Sequence, residues 1–344
     1  MRLLEYKAQY LEEEEDILEI PARQIRADLR LAATSLTPKE ARYLVDTYYQ
    51  MQENRKRAAN QVLALNSAEE PSMAVSFLRA EAARLENEVK FILGSYAESQ
   101  ALGRWAQSIR GIGPVISAGL LAHIDITRAP TVGHVWRFAG LDPTQKWKGR
   151  GAAEQVVREF LKGRKPTPED LPVLVQQMEG IGLDAVQRLV ATDKDGKPRK
   201  LTADNIIAAL SLRSWNASLK TLCWKIGESF VKVSNRADDV YGHIYASRKA
   251  WEQDKNEQKA YKDQADVGLK RVGRSTDAYG HYKKGMLPPA QIHSRAKRYA
   301  VKLFLAHYHH VAYVLHFGTQ PPRPYVIDHL KHTDIISPPN WPMA

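Results

Sequence analysis

Apolar positions along the chain recur at steps of three and four, and this spacing predicts an all-α fold. The clearest start is Thr37-Pro38-Lys39-Glu40, where Thr can cap the N3 amide, Pro suits the first helical turn and Glu can return the bond. Leu44, Tyr48, Met51, Arg55, Ala58, Val62 and Leu65 then form one stripe. A breaker at Glu69-Glu70-Pro71-Ser72 separates it from a second stripe of Leu78, Ala82, Leu85, Val89, Ile92 and Tyr96. Two stripes joined this way predict an antiparallel coiled-coil hairpin over 37–104, preceded by a peripheral arm at 1–36. The hairpin is suited either to dimerisation or to an intrachain seam.

Further along, residues 105–150 and 213–240 read as one core. Its first part holds the small-residue run Val115 to Ile124, with Ala118, Gly119 and Ala122 allowing close helix packing. Its second holds Leu219, Leu222, Cys223, Ile226 and Phe230 on one helix face, with Lys220, Lys225 and Lys232 off it. Cys223 and Trp224 are both expected in the interior. Between the parts, 151–212 reads as an inserted helical subdomain with short helices at Leu171–Met178 and Thr202–Leu212. Tyr241 to Ala265 is strongly charged and predicts one exposed helix, followed by a linker from Gly273 to Pro289. Gln291 to Phe317 predicts a last amphipathic helix, and the prolines after it predict an extended strap, so 241–344 forms a basic C-terminal region.

Charge narrows the partner. The 344 residues carry 50 Lys plus Arg against 39 Asp plus Glu, a formal net charge of +11 that favours a polyanion, nucleic acid ahead of a membrane surface. No apolar run approaches the roughly 18 residues of a membrane span. A single cysteine, Cys223, forbids an intramolecular disulfide and fits a reducing compartment. The acidic run Glu12 to Asp16 is the opposite of a secretory leader.

Catalytic motifs are scarce. Seven of the 11 histidines follow residue 290, and His307 and His310 can share a helix face, but no His-Glu-x-x-His accompanies them. They are expected to line a helix interface or touch RNA, with no metal or cofactor. No phosphate-binding Gly-rich lysine loop, no nucleophile elbow and no spaced acidic set for a two-metal nuclease is recognisable.

Binding signals are stronger. Gly111-Ile112-Gly113-Pro114 is a turn in which one or both glycines are expected at positive φ, and it resembles the hairpin of helix-hairpin-helix modules, whose helix N-terminal amides grip a phosphate. A tight turn between two core helices is the competing reading. Basic residues interleave with aromatics at Lys146-Trp147-Lys148, along Arg213 to Lys225 with Trp215 and Trp224, and along His293 to Lys302 with Tyr299. Such mixtures neutralise phosphates and stack on unpaired bases.

Residues 109–148 and 213–232 resemble the C-terminal domain of bridge-RNA-guided insertion-sequence transposases. The match rests on Gly111, Gly113, Pro114, Phe138, Ala139, Gly140, Leu141, Pro143, Asn216 and Lys220. Those recombinases add an acidic nuclease-like domain and a Ser-Gly pair after the proline, whereas this loop reads Lys146-Trp147-Lys148-Gly149-Arg150. A coiled-coil hairpin followed by such a core also resembles the Nop domain of box C/D ribonucleoproteins. The Tas proteins of tandem interspaced guide RNA (TIGR) systems join both likenesses.

That resemblance implies a Nop-like helical domain binding a guide RNA. It further implies a homodimer recognising target DNA in the cytoplasm of a prokaryotic or virus-infected prokaryotic cell, with a separate nuclease possible. The RNA-binding residues expected are Gly111, Gly113, Arg137, Lys146, Trp147, Lys148, Arg150, Asn216, Lys220, Lys225, His293, Arg295, Arg298 and Lys302. A transposase-derived recombinase or nuclease subunit, and an unguided helix-hairpin-helix DNA-binding protein, are the alternatives.

Overall fold

A computed structural model describes residues 28–144, 147–178, 181–193, 195–322 and 336–343. Among these residues the fold is all-α, with only an isolated bridge between Thr192 and Pro198 outside helices and turns. No helix among them is long and apolar enough to cross a membrane. The acidic run at 12–16 and Arg323 to Tyr325 of the strap lie outside the described residues.

Helices α1 (Pro38–Ser67) and α2 (Met73–Glu98) pack side by side and antiparallel. Thr37 caps α1 in a complete capping box with Glu40. The seam is not uniformly apolar: Arg55 Nε donates to Glu86 at 2.5 Å and Gln52 Nε2 donates to the same carboxylate at 3.3 Å. Glu86 is 7% exposed, so its charge survives burial only because these donors surround it. The second stripe holds only in part: Tyr96 is buried and Val89 packs on the cluster as expected, but Leu78 and Leu85 face solvent while Glu86 and Leu93 are buried. A carboxylate occupying a seam position disguised the register.

The hairpin base rests on α4 (Pro114–His123), reached through α3 (Ala101–Ser108). Ala41, Val45, Leu93, Tyr96 and Ala97 meet Val115, Ala118 and Ala122 in one cluster. The opposite side of α4 meets α10 (Ala217–Val233), where a Cβ on Gly119 would stand 2.8 Å from Leu222 Cδ2. Small residues on α4 are therefore needed on both faces. The main core adds α5 (Val132–Phe138), α11 (Val240–Glu257) and α14 (Pro289–Phe317), stacking Trp105, Phe230, Tyr241, Phe304 and Tyr308. Cys223 is buried there, and burial pushes its thiol up to about 12, so it is an inert apolar group.

Between α5 and α10, α6 (Gly149–Leu161), α7 (Leu171–Met178), α8 (Leu183–Ala191) and α9 (Ala203–Leu210) enclose a cluster of their own around Val157, Leu174, Val186 and Ile206. The region after α10 departs from expectation. Tyr241 to Ala265 is not one exposed helix. It divides at Lys259, whose φ is 57°, into α11 and α12 (Lys262–Leu269), and α11 buries Tyr241, Tyr245 and Glu252 against α14. The expected linker likewise contains α13 (Asp277–Lys283), held by Gln291 Nε2 donating to Tyr282 Oη at 2.6 Å.

The described end of the strap lies on the main core. Trp105 Nε1 donates to Pro339 O at 2.9 Å, Asn340 Nδ2 donates to Ser108 O at 3.0 Å, and Trp341 packs on the cluster.

Candidate nucleic-acid interface

The Phe138-Ala139-Gly140-Leu141 step is a helix stop. Gly140 takes φ +65°, its amide donates to Arg137 O at 3.1 Å, and the Leu141 amide donates to Trp136 O at 2.8 Å. This pair of bonds is the Schellman arrangement, which requires the left-handed residue glycine supplies without strain. The turn also docks the next element. The Asn216 amide donates to Phe138 O at 2.8 Å, while its side-chain Oδ1 accepts from the Leu219 amide at 2.8 Å and caps α10. Asn216 thus has a structural task, although sequence reading assigned it to RNA.

Around this turn the structure gathers aromatic rings and cations from distant segments. Trp147 and Trp215 meet edge to face at 6.5 Å, and Trp147 Nε1 donates to Ser211 O at 2.9 Å. Arg213 lies 4.7 Å over Trp147, and Lys220 Nζ lies 4.1 Å over Trp215. Burial, then Arg213 and Arg298, lower the Lys220 pKa, so both arginines act electrostatically on Lys220. Lys302 is part of the same neighbourhood, 4.2 Å over Trp136, whose Nε1 donates to Lys302 O at 2.9 Å. These like charges, with exposed Trp147 beside Arg213, form a surface that an anion would relieve.

Other expected residues lie elsewhere. Lys146 is outside the described residues. Lys148 donates to Gln177 O at 2.7 Å, tying the loop to the inserted helices, and Arg150 is exposed in the first turn of α6. Lys225 is 3.6 Å over the Tyr49 ring and so fastens α10 to the hairpin. Arg295 pairs with Glu252 at 2.7 Å, and His293 Nδ1 shares a 2.7 Å bond with Tyr245 Oη. Burial alone would raise Glu252, but Tyr261, Arg295 and Arg248 together hold it below the ordinary carboxylate value. Arg298 is exposed, and Trp224, expected in the core, is 59% exposed. Trp224 occupies the face of α10 opposite Cys223 and Ile226, with Lys297 at 5.9 Å. Trp136 was not singled out, because nothing in its local sequence places it beside Lys302, and Arg213 was marked only as the start of a basic–aromatic stretch.

The histidines are interface residues. His307 lies between Tyr241 Oη at 2.6 Å and Ile336 O at 2.8 Å, and His309 Nε2 reaches Ala129 O at 2.8 Å. Among the described residues no group of three or more His, Cys, Asp or Glu is arranged to hold a metal ion.

A second feature surrounds the Gly-x-Gly-Pro turn. Gly111 has φ +92° and its carbonyl accepts from Ser229 Oγ at 2.6 Å; Gly113, at φ −90°, is the N-cap of α4 and caps with no side chain. A cleft of about 860 Å³ opens here between the turn and the hairpin, with Tyr49, Gln52, Lys90 and Arg110 on its walls. Arg110 is paired with Asp238. The first turn of α4, Gly113 to Ile116, lines this cleft, and helix N-termini are where phosphates are commonly held.

Residues 103–156, from α3 into α6, match the Transposase IS116/IS110/IS902 family. The matched segment contains both the Gly-x-Gly-Pro turn and the Schellman stop, so the centre of the main core is transposase-like. No curated protein and no solved structure matches the chain.

Proposed function

We propose that this chain binds a structured guide RNA through the main core and takes part in RNA-guided recognition of target DNA. The observation that carries the proposal is the cation–aromatic cluster of Trp147, Trp215, Arg213, Lys220 and Arg298, built on a transposase-like segment. Single-stranded and looped RNA is held by stacking on such rings and by phosphate neutralisation. Sequence choice then falls to base pairing between guide and target, with the protein reading backbone and shape. In this reading the α1–α2 hairpin pairs two copies of the chain, and cutting is left to a separate nuclease. The test is to express the chain with its native flanking DNA and sequence the RNA that co-purifies. A discrete species with a constant core and variable segments is expected; random fragments removed by moderate salt would overturn the proposal.

A second reading follows from the family match alone: a strand-transferring subunit of a mobile element. It predicts joined products when the purified chain is incubated with DNA ends and the co-purified RNA. The guided-binding reading predicts a bound complex without joined strands.

A further inference from the structure

A smaller cavity of about 270 Å³ lies between the C-terminal end of α4, the turn at 124–129, α5 and the segment leading into α10. Its apolar lining comes from Ile124, Ala129, Val135 and Phe138. Two polar atoms are buried in its wall and lack a hydrogen-bond partner among the described residues, His123 Nδ1 and Ser214 Oγ. Two neighbouring polar residues are engaged through one atom each. Asp125 Oδ1 accepts from Thr127 N at 3.0 Å and Thr127 Oγ1 at 2.6 Å, and His134 Nδ1 pairs with Thr131 Oγ1 at 2.9 Å. Buried polar groups are ordinarily satisfied, so two orphans on residues that line one cavity point to an occupant.

The lining specifies its chemistry. Burial, and then the nearby Arg42, lower the His123 pKa, with Asp46 opposing, so the imidazole is neutral at pH 7. A neutral imidazole and a hydroxyl each offer a donor or an acceptor but no charge. They suit the amide-like edge of a nucleobase and would leave a phosphate uncompensated. The cations are at the surface: Arg128 and Arg137 line the same cavity and are exposed. Phe138 is 42% exposed and supplies a ring for stacking. The volume sits near the lower end of small-ligand pockets, about 300 Å³, and so fits one base.

We infer that this cavity receives a single unpaired nucleobase of the bound strand, hydrogen-bonded by His123 and Ser214, stacked on Phe138, with its phosphate against Arg128 and Arg137. This assignment rests on the nucleic-acid-binding reading and adds a base-reading position to it.

The experiment titrates the full chain with each nucleoside 5′-monophosphate and each nucleoside, followed by saturation-transfer NMR. Then 12-nucleotide single-stranded RNAs are titrated in which the preferred base is present or replaced by an abasic site. One base is expected to bind at least 5-fold better than the others, and Ser214→Ala and His123→Gln should each remove most of that preference. Arg137→Gln should narrow the gap between monophosphate and nucleoside affinity, and Arg128→Gln with Arg137→Gln should close it. In RNA, the abasic site and Ser214→Ala should each cost about as much alone as together. Equal binding of all bases, or an unchanged preference in both variants with unchanged melting temperatures, would overturn the inference. Binding of monophosphates with RNA affinity indifferent to Ser214→Ala would overturn its assignment to the strand and leave a free-nucleotide site. Failure of the unmodified chain to bind any RNA would sink the guide-binding proposal, while the monophosphate titration still reads the cavity independently.

Discussion

Gly140 is constrained twice over. Its φ of +65° costs any residue with a Cβ, and a Cβ there would stand 2.8 Å from Trp215 Cγ and 2.9 Å from Lys220 Cδ. Gly140→Ala should lower stability by about 2–4 kcal/mol, combining left-handed strain with overpacking. Gly113 has a negative φ and no neighbour within 4 Å of the position a Cβ would take. Gly113→Ala should cost less than about 1 kcal/mol of stability, yet weaken RNA binding if the α4 amides meet a phosphate; urea titration and filter binding separate the two effects. His307 makes a second residue-scale case. The Ile336 carbonyl can only accept, so Nε2 carries the proton and Nδ1 accepts from Tyr241. Burial holds this imidazole down to about 4. Its contribution is complete above the unfolded value of about 6.5 and is lost as pH falls from there toward 4, on the order of 2–3 kcal/mol. His123 and His309 are lowered as well and act in the same direction. The urea midpoint should therefore fall between pH 7.5 and pH 4.5, and His307→Gln should show a shallower fall. Parallel curves would refute the assignment.

At the level of single helices the sequence was informative wherever caps and periodicity agreed. The Thr37 box, the Thr202 cap and the apolar face of α10 stand where the spacing places them. It misled where a polar residue is buried or an apolar one exposed. Glu86 in the hairpin seam and Glu252 in α11 are carboxylates held by arginines 31 and 43 positions away, which no local pattern reveals, although Glu252 also pairs with Arg248 one turn before it. Trp224 errs in the opposite sense, since a face defined by Leu219, Cys223, Ile226 and Phe230 excludes it. Asn216 shows how one residue serves two readings. Its Oδ1 caps α10, so Asn216→Ala should cost about 1 kcal/mol, and Asn216→Asp should keep the cap and the melting temperature. If Asn216 also touched RNA, the aspartate would repel phosphate, and affinity would drop without any loss of stability. Equal RNA affinity for Asn216→Asp and the unmodified chain assigns the residue to structure alone.

Across the whole molecule, the fold class was readable in the chain, and so were Trp147, Lys220, Arg298 and Lys302 as candidates, but not their meeting in one place. The cluster joins Trp136 and Trp147 with residues 213–220 and 298–302, which meet only because α10 and α14 both pack around the α5 stop. Basic–aromatic composition marked three stretches, and the structure uses parts of each while assigning Arg295, His293 and Lys225 to internal contacts. This division is testable through salt dependence. Every cation that neutralises a phosphate on a single strand contributes about 0.7 to the slope of log K against log salt. Lys220→Gln and Arg298→Gln should each lower the slope by roughly that amount, and the double variant by about twice as much. Arg295→Gln removes a partner from Glu252, so it should lower the melting temperature and leave the slope unchanged. If Arg295→Gln instead lowers the slope while Lys220→Gln does not, the strand follows α11 and α14 rather than the turn at Gly140. The cluster would then be packing, in which Lys220 merely covers an indole.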